Sequence, residues 1–94
     1  MEFYKPRKAE TIEKEDTKFF LLGKVQEVGE GFFILADETG KVKINGNFKV
    51  EKGSLVRVFC SKFDEEIVAD FVQNMDGLDW ELWKKAESLY LRLL

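Results

Sequence analysis

The residues best suited to chemistry in this 94-residue chain are cations and aromatic rings at alternating positions. Lys41, Lys43 and Asn45 alternate with Val42 and Ile44, so the polar set shares one face of a strand. Lys24 and Gln26 fall on the non-core face of an earlier segment, and Arg57 on that of a later one. Rings accompany them. Alternation sends one of Phe32 and Phe33 inward and leaves the other for solvent, and Phe59 alternates against Val58 and Cys60. Cations that follow phosphates and planar side chains that stack bases are the two requirements for holding a single nucleic-acid strand. The same lysines would also serve solubility and the protection of a sheet edge, and Phe59 would pack equally well beneath a neighbouring segment.

Enzymatic chemistry has little to work with. The chain has no histidine, so the commonest general base and metal ligand is missing. Cys60 sits on an apolar strand face with Val56 and Val58 and reads as a core residue. No glycine-rich loop leads from a strand into a helix. Asp37 and Glu38, and Asp64, Glu65 and Glu66, fall in turns, where solvated carboxylates are expected. The sequence therefore offers no catalytic residue, metal site or cofactor site. The net charge of −3 and pI near 5.0 run against a dedicated nucleic-acid binder, which is more often basic. Any basic patch must be local, and a protein–protein adaptor is the competing expectation.

One cysteine makes no internal disulfide, and the chain shows no signal peptide, which points to a reducing, cytoplasmic setting, beside the nucleoid if DNA is the ligand. The longest apolar run, Phe19 to Gly23, is strand-sized, far below the ~20 residues of a membrane span. With 35% charged residues and few Asn, Gln, Met and Cys, the composition resembles that of thermophile proteins.

The elements that must position these residues follow from period and turn signals. Residues 1–17 are polar and mixed in charge and contain the only proline, Pro6. They read as an arm that orders on contact, with a short helix near Ala9–Lys14, or as a frayed terminus. From Lys18 the pattern becomes β. FFLLGKVQEV is a long first strand, and Gly29-Glu30-Gly31 turns the chain into GFFILAD. Asp37-Glu38-Thr39-Gly40 is a hairpin turn with Gly at the position that tolerates φ > 0. KVKING, SLVRVFCSKF and EIVADFV complete the set, with Ile67, Ala69 and Phe71 placed on one face of the last. Short strands at about ten-residue spacing predict a closed barrel or sandwich. Gly23, inside the longest strand, permits the coiling that lets one strand serve both halves of a small barrel.

The last segment, residues 76–94, changes period. Asp76 is a candidate cap, and Leu82, Ala86, Leu89 and Leu93 follow helical spacing, with Trp83, Tyr90 and Leu94 widening the stripe. A narrow stripe would plug the end of a barrel. This one is broader and predicts a partner face, with self-association when the chain is isolated.

In order along the chain, LLGKVQEV, the hairpin ILADETGKVKI, GSLVRVF, and EEIVADFVQNMDGLD with its trailing helix resemble the small OB-fold subunits of archaeal and eukaryotic replication protein A. The arm YKPRKAETIEKEDTKF is similar to the stretch before strand one in the archaeal subunits. The resemblance implies a mainly β fold: a five-stranded OB barrel over residues 18–75, an arm over 1–17 and an assembly helix over 76–94. It implies other OB-fold subunits as partners, docked through Leu82, Trp83, Ala86, Leu89, Tyr90, Leu93 and Leu94. It also implies single-stranded DNA as a weakly held ligand in replication or repair, and no catalysis.

Overall fold

Alternating apolar and polar residues make strands with one buried face, and a short chain buries every such face only if its sheet curls back on itself. The structure, a computed structural model, describes residues 4–76 and Lys85. The described residues form six strands: β1 (Lys5–Pro6), β2 (Lys18–Gly29), β3 (Phe32–Ala36), β4 (Lys41–Asn45), β5 (Leu55–Phe63) and β6 (Glu66–Asn74). They form one mixed sheet in the order β1-β2-β3-β4-β6-β5, and β5 also pairs with β2. The five longer strands thus close into a ring, with β1 added at its outside. The ring pairings are antiparallel except for β4 with β6, which run parallel and meet at Asn45 and Val68.

The long β2 makes the closure feasible. Lys18 to Lys24 pair with β5, and Lys24 to Gly29 pair with β3. Gly23 lies where the two halves meet, as its place in the sequence predicted. A Cβ built there would stand 2.5 Å from the backbone oxygen of Ala36, so only glycine admits this approach. The core collects the inward face of every ring strand: Phe19, Leu21, Val25, Phe33, Leu35, Ile44, Val56, Val58, Cys60, Ile67 and Ala69. Each large side chain there contributes about 1.5–3 kcal/mol of burial. Cys60 is fully buried, and loss of solvation, with the charge of Asp70 adding to it, pushes its thiol up to about 12.

Two expectations are corrected. Phe71 does not share the face of Ile67 and Ala69. Phe59 pairs with Phe71 while Cys60 pairs with Ala69, so Asp70 is an extra residue in β6. This bulge reverses the alternation, as bulges do, and leaves Phe71 56% exposed while Val72 packs against the core. The hairpin after β3 does not use Gly40 in a left-handed conformation. Among the described residues the positive φ values belong to Gly31, Gly46, Gly53 and Asp64. The Asp37 carboxylate builds that turn instead, its Oδ1 accepting from the amides of Thr39 at 2.7 Å and Gly40 at 3.1 Å.

The arm is not frayed: it packs along the ring, and the short helix expected near Ala9–Lys14 is present as a 3-10 turn. Lys5 and Pro6 pair in parallel with Phe19 and Phe20, the Arg7 amide donates to the Phe20 carbonyl at 3.0 Å, and Ala9–Thr11 form a single 3-10 turn. Asp16, 7% exposed, ends the excursion: it accepts from Arg7 Nε at 2.8 Å and from the Glu13 amide at 2.8 Å. The helix expected over 76–94, with Leu82, Trp83, Ala86, Leu89, Tyr90, Leu93 and Leu94, lies outside the described residues apart from Asp76 and Lys85. Asp76 itself caps a strand: its carboxylate accepts from the Leu55 amide at 2.8 Å, at the start of β5.

Candidate nucleic-acid interface

Register decides which of the chemistry-bearing residues stand together. Across β2, β3 and β4 the outward rows are Lys24–Ala36–Lys41, then Ile34–Lys43, then Gly29–Phe32–Asn45. Gln26 is skipped in the β2–β3 pairing and so forms a bulge at the rim. These strands wall an open groove of about 660 Å³ lined by Gln26, Glu27, Ile34, Lys41, Val42, Lys43 and Lys52. Ile34 and Val42 are its apolar lining, and Lys41, Lys43 and Lys52 its cationic one. Glu27 contributes the opposing charge.

The choice between Phe32 and Phe33 is settled by burial. Phe33 is 1% exposed and belongs to the core, so it is not a stacking ring. Phe32 faces outward, and its ring lies over Gly29, where an added Cβ would come within 2.3 Å of it. Lys43 Nζ sits 4.7 Å from the centroid of the Phe32 ring, which pairs a cation with a stacking surface. Asn45 is already engaged: its Nδ2 donates to the Ile67 carbonyl at 3.3 Å, across the parallel β4–β6 contact. That bond braces the ring of strands and uses one of the two amide hydrogens, leaving the other hydrogen and Oδ1 outside it. Lys52, from the connector between β4 and β5, was not among the expected residues, since nothing in an irregular segment shows where its side chains point.

Arg57 and Phe59 do not line that groove. They belong to a second cluster, on β5 between the first half of β2 and β6. The Phe59 ring centroid lies 5.6 Å from Phe20, 6.0 Å from Phe71 and 5.2 Å from Tyr4 of the arm. The Arg57 guanidinium stands 5.3 Å from the Phe59 centroid and 5.9 Å from that of Phe20. Gln73 accepts from its Nε at 3.1 Å and holds it in place. Beside the rings, Asp70 accepts from the Tyr4 hydroxyl at 2.9 Å and from Ser61 Oγ, while Lys18 Nζ lies 3.6 Å away. Partial burial works to raise the Asp70 pKa, but the bonds from Ser61 and Tyr4 and the charge of Lys18 bring it below its ordinary value. The Tyr4 hydroxyl is pushed up, chiefly by donating to that carboxylate.

Sequence reasoning missed Tyr4, Phe20 and Phe71 here. Phe20 had a readable signal, since it alternates against the buried Phe19 and Leu21. Phe71 required knowledge of the bulge, and Tyr4 required the path of the arm. Among the described residues no group of His, Cys, Asp or Glu has the arrangement of a metal site.

No protein-family model matches the chain, and no curated protein sequence matches it. Solved structures do. The chain is similar to a chain of the S. pombe Stn1–Ten1 complex, with a TM-score of 0.82 at 16% identity, covering 97% of this chain and 94% of that one. It is also similar to the telomere capping protein Ten1 from S. pombe, with a TM-score of 0.82 at 17% identity, covering 96% of this chain and 99% of that one. At such identities the likeness is one of fold over nearly the full length of both partners.

Proposed function

We propose that this chain is a non-catalytic OB-fold subunit of a replication-protein-A-like complex that holds single-stranded DNA, of the kind that caps or covers exposed strands. One observation carries the reading: a closed ring of five strands, in the order of an OB barrel, overlays Ten1 along nearly its whole length. The solved complex pairs that protein with Stn1, and we infer by analogy a second subunit as the partner of this chain. The broad apolar stripe expected in residues 76–94 is the segment we assign to that docking.

The groove between β2, β3 and β4 is the strand-facing surface in this reading. Oligonucleotides use this part of an OB barrel, and here Lys41, Lys43, Lys52 and Ile34 line the groove, with the Phe32 ring beside Lys43 and Lys24 in the row of Lys41. Arg57 and Phe59 extend the path beyond Lys24. The acidic chain neutralises few phosphates, so binding is weak and log K falls against log salt with a slope of about 1–3. Titration of a labelled single-stranded oligonucleotide at low and moderate salt tests this. The expected result is weak, single-strand-preferring binding that Lys41→Glu with Lys43→Glu weakens further without lowering the melting temperature. Duplex preference, or binding indifferent to both substitutions, rejects it.

A second reading, an OB-type adaptor that assembles with proteins only, draws on Phe63 at 63% and Phe71 at 56% exposure. Rings left in water at that level are the usual composition of protein interfaces. Complete absence of oligonucleotide binding, with assembly intact, selects it.

A further inference from the structure

Lys41 and Lys43 stand on β4, which begins directly after the turn formed by residues 37–40. A five-residue strand behind a solvent-facing turn is free to fray, and frayed lysines would lose conformational freedom at the moment of binding. The turn is not left to itself. The two oxygens of the Asp37 carboxylate divide the work. Oδ1 completes the turn, accepting from the Thr39 amide at 2.7 Å, Thr39 Oγ1 at 2.6 Å and the Gly40 amide at 3.1 Å. Oδ2 serves a different segment: it accepts from the amide of Ala9, in the arm, at 2.7 Å. Thr39 repeats the pattern, its Oγ1 accepting from the Glu10 amide at 3.0 Å, and Lys8 Nζ bonds Glu38.

The turn alone would be equally well served by asparagine, whose single oxygen supports the same side-chain-to-backbone bonds. Only a carboxylate accepts in both directions at once. The arm, in turn, is fastened to the ring elsewhere. β1 pairs with β2, the Arg7 amide donates to the Phe20 carbonyl at 3.0 Å, and the Lys62 amide of β5 donates to the Thr17 carbonyl at 2.9 Å. The arm therefore connects the β3–β4 turn to the strands that close the ring on its other side.

We propose that Asp37 is a positioning residue for the lysine groove: by bonding the arm through Oδ2 it straps the β3–β4 turn to the ring and holds Lys41 and Lys43 at their working spacing. This rests on the single-strand reading above and extends it to a residue that carries the wrong charge to touch phosphate. The charge supplies a discriminating sign. Asp37→Asn removes a negative charge four residues before Lys41, so electrostatics alone would tighten the binding of a polyanion. It also places an amide donor against the Ala9 donor while keeping the turn. The strap requires the opposite outcome, binding weaker by about threefold to tenfold.

The experiment uses the full chain as wild type, Asp37→Asn, Thr39→Val and Thr39→Ser. Each is titrated against a fluorescein-labelled oligothymidylate at two salt concentrations, with amide hydrogen exchange followed over Ala9, Glu10 and β4. The expected result is faster exchange in both segments and weaker binding for Asp37→Asn and Thr39→Val, with Thr39→Ser, which keeps the hydroxyl, close to wild type. Faster exchange confined to the arm overturns the proposal, as does unchanged or tighter binding by Asp37→Asn. A wild-type chain that does not bind the oligonucleotide at all removes the single-strand reading itself, which the exchange pattern separates from failure of the strap.

Discussion

Arg7 and Asp16 close a loop of the arm on itself: Nε donates to Oδ2 at 2.8 Å, Nη2 donates to Oδ1 at 3.2 Å, and the Asp16 side chain keeps only 4% of its exposure. A two-pronged guanidinium–carboxylate pair of this kind fixes orientation as well as distance.

Removing one member strands the other. Arg7→Ala leaves the Asp16 carboxylate buried with a single amide donor, that of Glu13. Fully buried pairs lose roughly 3–5 kcal/mol in this way; with the Arg7 side chain 21% exposed, the expected loss is about 2–3 kcal/mol. For a domain of this size that lowers Tm by roughly 10 °C or more. Arg7→Lys recovers only part of it, since an ammonium has no fork. Calorimetric melting of the three proteins is the check, and a loss below about 0.5 kcal/mol, the ordinary range of surface changes, would contradict the buried-pair account.

The same pair sets the acid limb of stability. The bonded Arg7 guanidinium holds the Asp16 carboxyl below its usual 3.8, against a smaller opposing effect of burial. Asp70 is also depressed, as is Asp76, chiefly by the Leu55 amide. A carboxyl with a lowered folded-state pKa stabilises fully at pH values above its unfolded pKa, and that contribution disappears as pH falls through the folded value. Stability should therefore be flat from neutrality to about pH 5 and decline steadily below it. Urea denaturation across that range should show a shallower acid limb for Arg7→Ala than for the wild type, because one of the three carboxyls no longer gains on folding.

Gly23 and Gly53 separate close approach from backbone conformation. Gly23→Ala places a methyl 2.5 Å from the Ala36 oxygen, and the obstacle is backbone, which must move. The expected cost is about 2–3 kcal/mol, in the range of core overpacking. At Gly53 no atom lies within 4 Å of the added carbon, but φ is +93°, so Gly53→Ala costs about 1–2 kcal/mol of conformational strain. Denaturation midpoints that rank the two in the reverse order would show that β2 and β3 separate easily at Ala36.

Phe32 and Phe33 are neighbours in sequence with opposite assignments. Phe33→Ala should cost about 3–5 kcal/mol of stability, as deletion of a buried ring does. Phe32→Ala should change stability little and weaken single-strand binding by about 1–3 kcal/mol, the usual worth of one stacked base. Parallel melting and titration distinguish them. Equal oligonucleotide affinity for Phe32→Ala and wild type would leave the groove to its lysines alone.

How much of this was legible beforehand depended on whether the signal was local. Alternation placed five strands and their turns within a residue or two and named Val56, Val58 and Cys60 as one buried face, and the small size of Gly23 marked where one strand coils to serve both halves of the ring, because period and side-chain size act along the chain itself. The lysines of β4 were exposed for the same reason. Alternation alone left Phe32 and Phe33 equivalent, and the pairing of Phe33 with Ile44 made the choice. The bulge at Asp70 turned Phe71 outward, since one extra residue reverses every later side chain in a strand and nothing in EIVADFV marks where it falls. Tertiary structure also put Lys43 and Arg57 on different surfaces, because β4 and β5 do not pair in the ring. The work of Asp37 was decided in space: a carboxylate in a turn looks solvated until a segment 28 residues away brings it a donor, and that meeting is set by the path of the arm along the ring, which no local pattern encodes.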